Sequence, residues 1–312
     1  MYNYLYGFLA QISVILIPLG FVSFILYRHR KKQKYSPFTE KFLRPPGSSL
    51  DTKLDNLLDK MFFPVMLICI LPYVCLTQLP SYTNTSGKFI SVIVCVIACI
   101  YCLFKLRSTF NESVSVRLGL EGEMYTGGEL NYLMRDGAWV YHDIPYQYGN
   151  IDHIIVSTGG VFAVETKAVR KPAKEGGRAE HKVTIEGEKL IFPHVTTKKP
   201  IQQAQVHANY LNDKINRMTG IKLSVTAVVA LPGWYVNSEN KGSNVLVMNP
   251  KRGTFLRPKV LKKVLSDTET ALIAEHIESF ARNIESRSDI TDPDGKLKYD
   301  LFNNRRPTEK KL

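Results

Sequence analysis

Cysteine is scarce and confined. All five, Cys69, Cys75, Cys95, Cys99 and Cys102, sit inside two apolar runs. Cys99 and Cys102 stand at CxxC spacing, but inside an apolar run, and none of the five has histidines at zinc-ligand spacing, which argues against a zinc finger and leaves them as packing residues. After residue 107 there is no cysteine at all, which fits a reducing compartment without demanding one. Ionisable side chains are missing from the three long apolar runs, residues 5–27, 62–79 and 89–104, and this argues against a transporter or channel. No basic stretch precedes the first run, so it does not read as a cleaved signal peptide. There is no internal repeat. Acid is also in short supply: 41 Lys and Arg face 28 Asp and Glu, a formal net charge of +13. That excess points to polyanionic partners, nucleic acid or anionic lipid, although cytoplasmic flanks of membrane helices collect Lys and Arg in any case.

What is present begins with membrane spans. Residues 5–27 are long enough to cross a bilayer as a helix, and Arg28, Arg30, Lys31, Lys32 and Lys34 follow at once. The positive-inside rule then sets the N-terminus outside. The runs at 62–79 and 89–106 form a hairpin that crosses outward and returns, with Lys105 and Arg107 after it, so everything downstream is expected in the cytoplasm. Between the first two runs, residues 28–60 read as a basic cytoplasmic linker ending in a short amphipathic helix. The expected protein is therefore a multi-pass membrane protein with three transmembrane helices in residues 1–107.

From Ser108 the pattern becomes α/β. Its organising stretch is residues 151–167, in which two β-branched runs flank Ser157-Thr158-Gly159-Gly160. Those glycines supply the positive φ of a tight turn, and the expected element is a β-hairpin. A turn centred between Thr158 and Gly159 pairs residues whose numbers sum to 317, which sets Asp152 opposite Glu165. Opposed positions hold their Cβ atoms about 4.5–5.5 Å apart, so like charges there repel unless a cation intervenes. The strand alternation puts Lys167 on the face of Glu165. Two carboxylates and an ammonium among valines and isoleucines read as a divalent-metal site with a nearby lysine; an exposed edge whose charges merely face water is the plainer alternative.

Ahead of the hairpin, residues 119–135 read as a helix with Glu121 and Glu123 in its first turn, where the helix dipole favours acid, and residues 138–144 as the first strand, followed by a loop, 145–150. Behind it come a basic irregular stretch, 168–199, with strand pattern at 183–185 and 190–192, and an amphipathic helix opened by Pro200 and stopped by Gly220, with Gln203 in its first turn. A buried strand at 223–231, a further strand at 244–248, a short helix at 255–265 and a helix capped by Asp267 complete the pattern. Residues 286–312 are polar and expected to be disordered.

Four motifs in order, Gly119-Leu120-Glu121-Gly122-Glu123, Ile151-Asp152, Glu165-Thr166-Lys167 and Pro200-Ile201-Gln202-Gln203, resemble those of the nuclease-related domain (NERD), a branch of the PD-(D/E)XK nuclease-like superfamily. The likeness covers roughly residues 115–232. Lys199 stands where the pattern often has Asn, and the segment after Lys167 lacks the expected tryptophan. The resemblance implies a restriction-endonuclease-like α/β fold, a mixed sheet flanked by helices, and a nuclease that hydrolyses phosphodiester bonds, in DNA above all, with Mg2+ or Mn2+ as cofactor. It assigns Asp152, Glu165 and the main-chain carbonyl of Thr166 as ligands, Glu123 as a further carboxylate, Lys167 to the water and the phosphate, and Gln203 to positioning. The expected domains are the anchor (1–107), a NERD domain (108–232), an α/β extension (233–285) and the tail (286–312). A homodimer or a protein partner is compatible with the pattern, and so is a catalytically silent membrane-tethered module that binds nucleic acid or protein with the same fold.

Overall fold

The computed structural model describes residue 17 and residues 20–25, 41–82, 84–172, 181–237 and 244–284. The expected first span, the basic residues 28–34, the part of the basic stretch at 173–180 and the tail at 286–312 fall wholly or largely outside them. Of the first run, Ile17 and residues 20–25 are helical. Among the described residues two helices are long and apolar enough to cross a membrane. Helix α1, Ser48–Gln78, joins the expected amphipathic segment to the second apolar run without a break. Helix α2, Thr85–Asn131, carries the third run. The chain divides into two compact units: one holds residues 71–97 with the described parts of 1–42, and the other holds Leu43–Ile70 and Ala98–Asn283.

Helix α2 corrects one expectation. No helix starts at Gly119; the third apolar run continues through it, so Glu121 and Glu123 lie deep inside a 47-residue helix and not in a first turn. The favourable dipole of a helix start does not act on them. The boundary expected at residue 107 also falls within α2.

The central sheet has the order β9-β7-β3-β2-β1, with β1 at Trp139–Tyr146, β2 at Gly149–Ser157, β3 at Gly160–Thr166, β7 at Thr226–Ala230 and β9 at Leu246–Met248. It is mixed. The β1, β2 and β3 strands run antiparallel, whereas β3, β7 and β9 are parallel. The loop expected at 145–150 is a tight hairpin, with Tyr146 paired to Gly149. Helices α3, Lys199–Thr219, and α4, Asp267–Ala281, cover one face with Ile201, Ala204, Ala208, Ile273 and Ile277 over Ile154, Val156, Val161 and Val229. On the other face Leu130 of α2 and Leu133 pack on Ile155, Phe162, Val164 and Val228. A smaller sheet, order β6-β5-β4-β8, contains the hairpin of β4, Lys182–Glu186, and β5, Lys189–Ile191, with β6 at Thr196–Thr197 and β8 at Tyr235–Val236.

Two local readings at the C-terminal side change. Residues 255–265 do not form a helix; a 3-10 segment at Pro250–Leu256 ends before Arg257-Pro258, where the residue before proline is disfavoured in helical geometry. The cap of α4 is Ser266, which accepts from the Glu269 N–H while the Glu269 side chain accepts from the Ser266 N–H, a reciprocal capping box. Asp267 is the first residue of the helix itself.

The β2–β3 hairpin keeps the expected register: His153 pairs with Val164, Ile154 with Ala163, and Ser157 with Gly160. Its turn is the two residues Thr158 and Gly159, and Gly160 takes φ +126. A Cβ on Gly159 would lie 2.5 Å from the Cβ of Leu261, and the Thr158 carbonyl accepts from the N–H groups of Val264 and Leu265. The turn is therefore clamped by the segment ahead of α4. Gly159→Ala should destabilise the protein by about 1–3 kcal/mol through overpacking, and Leu261→Gly added to it, which removes the opposing Cβ, should recover part of that loss. Thermal melts of the two single variants and the double variant check this; additive losses would mean that the contact does not hold the turn.

Candidate nuclease site

Along β2 the side chains of Ile154 and Val156 face the α3 and α4 layer, and so do Val161 and Ala163 along β3. Asp152 and Glu165 continue these two rows at the end of the sheet where β3 and β7 terminate. The β2–β3 ladder stops at His153 and Val164, and beyond it Asp152 Oδ2 accepts from the Thr166 N–H at 2.6 Å. Thus the expected cross-strand neighbours share a face, and the tie runs through the peptide that joins Glu165 to Thr166. The Lys167 N–H donates to the Ala230 carbonyl at 2.9 Å, so the next residue of the motif is fixed to β7.

Glu123 reaches the same place from α2. It is 8% exposed, and its Oε2 is buried with no hydrogen-bond partner. Burial first, then the charges of Asp152 and Asp143, push its carboxyl up to about 9. Burial and Asp143 likewise push Asp152 up to about 7, against the Thr166 N–H and Lys167, which pull it down. Glu165 is driven well above the ordinary range by burial, then by Asp152 and Glu123, while Lys167 and Lys199 oppose the shift. Three of the expected site carboxylates therefore sense one another, with Lys167 on their side. Gln203 is half-buried in the first turn of α3, one turn ahead of His207.

Several residues at this end of the sheet carry no local sequence signal. His207 Nδ1 lies 3.3 Å from Glu165 Oε2, but burial holds His207 down to about 4 and that nitrogen lacks hydrogen-bond geometry, so the contact is not an ion pair at neutral pH. Its Nε2 meets the Tyr146 hydroxyl at 3.2 Å. Asp143, the one described non-glycine residue with positive φ (+51), sits in β1 between the pairs His142–His153 and Ile144–Ile151. Its Oδ2 accepts from Arg44 Nε at 2.9 Å, from the Arg44 Nη2, and from the Ser49 N–H at 2.7 Å; Oδ1 accepts from Ser49 Oγ. A strand aspartate thus caps the N-terminus of α1.

On the opposite face a hydrogen-bonded chain runs from the exposed Asn131 through the buried His142 and His153 to Thr166. With the Asn131 amide oxygen 3.0 Å from His142 Nε2, that nitrogen carries the proton and His142 Nδ1 accepts. His153 Nδ1 then donates to it at 2.9 Å, and His153 Nε2 accepts from the Thr166 hydroxyl at 3.1 Å. Burial keeps both rings neutral: His142 falls to about 4, and His153 is also held well below the ordinary histidine value, with His142 as a second cause. The chain locks Thr166 from one face while its N–H holds Asp152 on the other. Two histidines eleven residues apart on separate strands form no recognisable motif.

Residues 118–232 match the family model of the nuclease-related domain, NERD. No curated protein and no solved structure matches the chain. The NERD match spans Glu123, the β2–β3 hairpin and α3, and it supports a nuclease-related function. Among the described residues no three His, Cys, Asp or Glu groups converge closely enough to hold a metal ion as they stand. The donor set still fits a hard cation. Its atoms are oxygens, one buried carboxylate oxygen has no partner, and Mg2+ commonly takes one or two carboxylates and keeps several waters.

The shifts fix a pH dependence. A carboxyl whose folded pKa is raised binds its proton more tightly when folded, so it contributes stability at low pH that is lost as pH rises towards the folded value. The buried histidines act oppositely, but only below the unfolded histidine value of about 6.5. Above that pH the carboxylates act alone. In EDTA the melting temperature should fall between about pH 7 and pH 9, Mg2+ should flatten the fall, and Glu123→Gln should remove much of it. A melting temperature that is level or rises across this range in EDTA would show that the three carboxylates are not coupled.

Proposed function

We propose that the NERD segment hydrolyses phosphodiester bonds in nucleic acid, DNA above all, in a reaction that depends on Mg2+ or Mn2+. One observation carries the reading: the buried Glu123 and Glu165 and the half-buried Asp152 gather at one end of the sheet, each raised by its neighbours, with Lys167 alongside. Like charges kept in a buried place cost stability and are worth that cost where a cation and a phosphate are to be bound. A bound divalent ion supplies the chemistry of a Lewis acid, polarising a phosphoryl oxygen and acidifying a water.

Asp152 and Glu165 hold the ion, with the Thr166 carbonyl and Glu123 as further oxygen donors. Lys167 stabilises the negative charge that grows on the phosphate and orients the attacking water. Gln203 positions the lysine or the water. Lys199, where the family pattern often has Asn, adds a second cation that acts on Glu165. The basic residues from Arg170 to Lys199 draw the backbone in by charge. The alternative, a silent module that binds nucleic acid or a protein, gains from the absence of a three-group cluster at ligating distance among the described residues. We also take the two apolar helices as membrane spans and the NERD segment as cytoplasmic.

Alanine at Asp152 or Glu165 should abolish cleavage and weaken Mg2+ binding. Lys167→Ala should lower cleavage by about 10²–10³-fold yet leave Mg2+ binding intact or tighter, because it removes a positive charge near the ion. Gln203→Ala should cost about 10–100-fold, as an outer orienting group does. Calorimetry with Mg2+ and cleavage of DNA and RNA by the same full-length variants separate these outcomes. Cleavage that survives the triple Asp152, Glu165 and Lys167 alanine variant sinks the assignment, and a wild-type protein that binds nucleic acid but never cuts it establishes the silent module. For the topology, protease added to intact cells should spare residues 108–284, and digestion without permeabilisation would reverse the orientation.

A further inference from the structure

A cleft of about 310 Å3 opens beside the carboxylates. One wall is a stripe of α2 that contains Glu121, Gly122 and Tyr125; the other is made by Val169 and by Pro232-Gly233, which follow the parallel strands β3 and β7. Both walls continue directly into the site. Gly122 precedes Glu123, and Val169 stands two residues after Lys167.

The cleft is preformed. A Cβ on Gly122 would lie 2.6 Å from the Cβ of Ala168, so helix and strand end touch at its base with no room for a side chain. Across it, the fully buried Trp234 donates its indole N–H to the Val169 carbonyl at 3.1 Å and so binds the two loop segments together. Tyr125 forms a lip, 43% exposed although it borders apolar walls. Glu121 offers carboxylate oxygens there, and the Lys171 ammonium lies 3.8 Å from the point where a Gly233 Cβ would sit. A flat aromatic lip, apolar sides, an acceptor and a cationic rim match a nucleobase on its phosphate chain better than they match an acyl chain or an apolar peptide, neither of which uses the cations.

We infer that this cleft takes an unstacked nucleobase next to the scissile phosphate, so that the substrate class is single-stranded nucleic acid. This rests on the nuclease reading above. A paired base must first be unpaired and unstacked at a cost of roughly a few kcal/mol, whereas bases of a single strand stack on aromatic side chains with little regard to sequence.

The test uses the full-length protein in nanodiscs, a single-stranded 12-nucleotide DNA containing 2-aminopurine, and a hairpin duplex of the same sequence, with binding in EDTA and cleavage in Mg2+. The single strand should bind more tightly than the duplex, with a change in 2-aminopurine fluorescence. Tyr125→Ala should weaken single-strand binding by about 5- to 100-fold, and Tyr125→Phe should restore it. Neither variant should alter duplex binding, Mg2+ affinity or the melting temperature. Single-strand affinity indifferent to Tyr125→Ala, or an equal loss on the duplex, overturns the inference while intact cleavage keeps the nuclease reading. Tyr125-dependent binding with no cleavage in Mg2+ or Mn2+ upholds the cleft as a base site and overturns the nuclease reading on which the substrate assignment rests.

Discussion

Like charges crowded into a low-dielectric corner are the constraint on which the site depends. Asp143 acts on Asp152 and Glu123, and these two act on Glu165, all at one end of a sheet. Two unit charges about 6 Å apart interact by about 3 kcal/mol at an effective dielectric constant of 20, so four carboxylates cannot all ionise there without compensation. Asp143 is compensated: Arg44 and the first turn of α1 surround it. Among the described residues the other three have no permanently charged partner at contact distance. Lys167 and Lys199 moderate them only partly, and His207 stays neutral. The protein thus spends one cation on the carboxylate that shapes the backbone and leaves the remainder unsatisfied.

That unequal treatment explains much of the surrounding architecture. Asp143 has positive φ, a conformation that costs a non-glycine residue of order 1–3 kcal/mol and persists only where its surroundings determine it. Four hydrogen bonds from Arg44 and Ser49 do so. Thr166 is fixed three times, by its N–H on Asp152, by its hydroxyl on His153 and by the ladder to Ala230. A buried histidine chain supplies that immobility without adding charge next to the acids.

How much of this was legible follows from how local each signal is. The hairpin register was readable because two glycines leave one turn position, and pairing then follows by count, so Asp152 and Glu165 could be set on one face from the sequence alone. The amphipathic α3 was readable from Pro200 to Gly220. By contrast, Glu123 was assigned to a helix start because Gly119 interrupts the pattern; in the structure the apolar run before it keeps the helix going, and glycine in a helix costs only about 1 kcal/mol. Ser266 and Asp267 both favour helix starts, and the reciprocal bond to Glu269 distinguishes them. Arg44 and Asp143 are 99 residues apart and His142 and His153 lie on different strands, so no spacing rule brings them together.

The helices that carry the apolar runs are each joined to the acid cluster through their own residues. Helix α1 begins on the Asp143 carboxylate, and α2 contributes Glu123 from its interior. A helix capped by a charge on another element gains up to about 2 kcal/mol in a partly buried setting, and a helix carrying a buried carboxylate loses stability until that charge is neutralised. The two attachments therefore respond oppositely to cations. Charge bound among Asp152, Glu165 and Glu123 relieves α2 directly, while at α1 it competes with Arg44 and the helix terminus for the field of Asp143. A cation held among these carboxylates would therefore be felt at both helices through electrostatics alone.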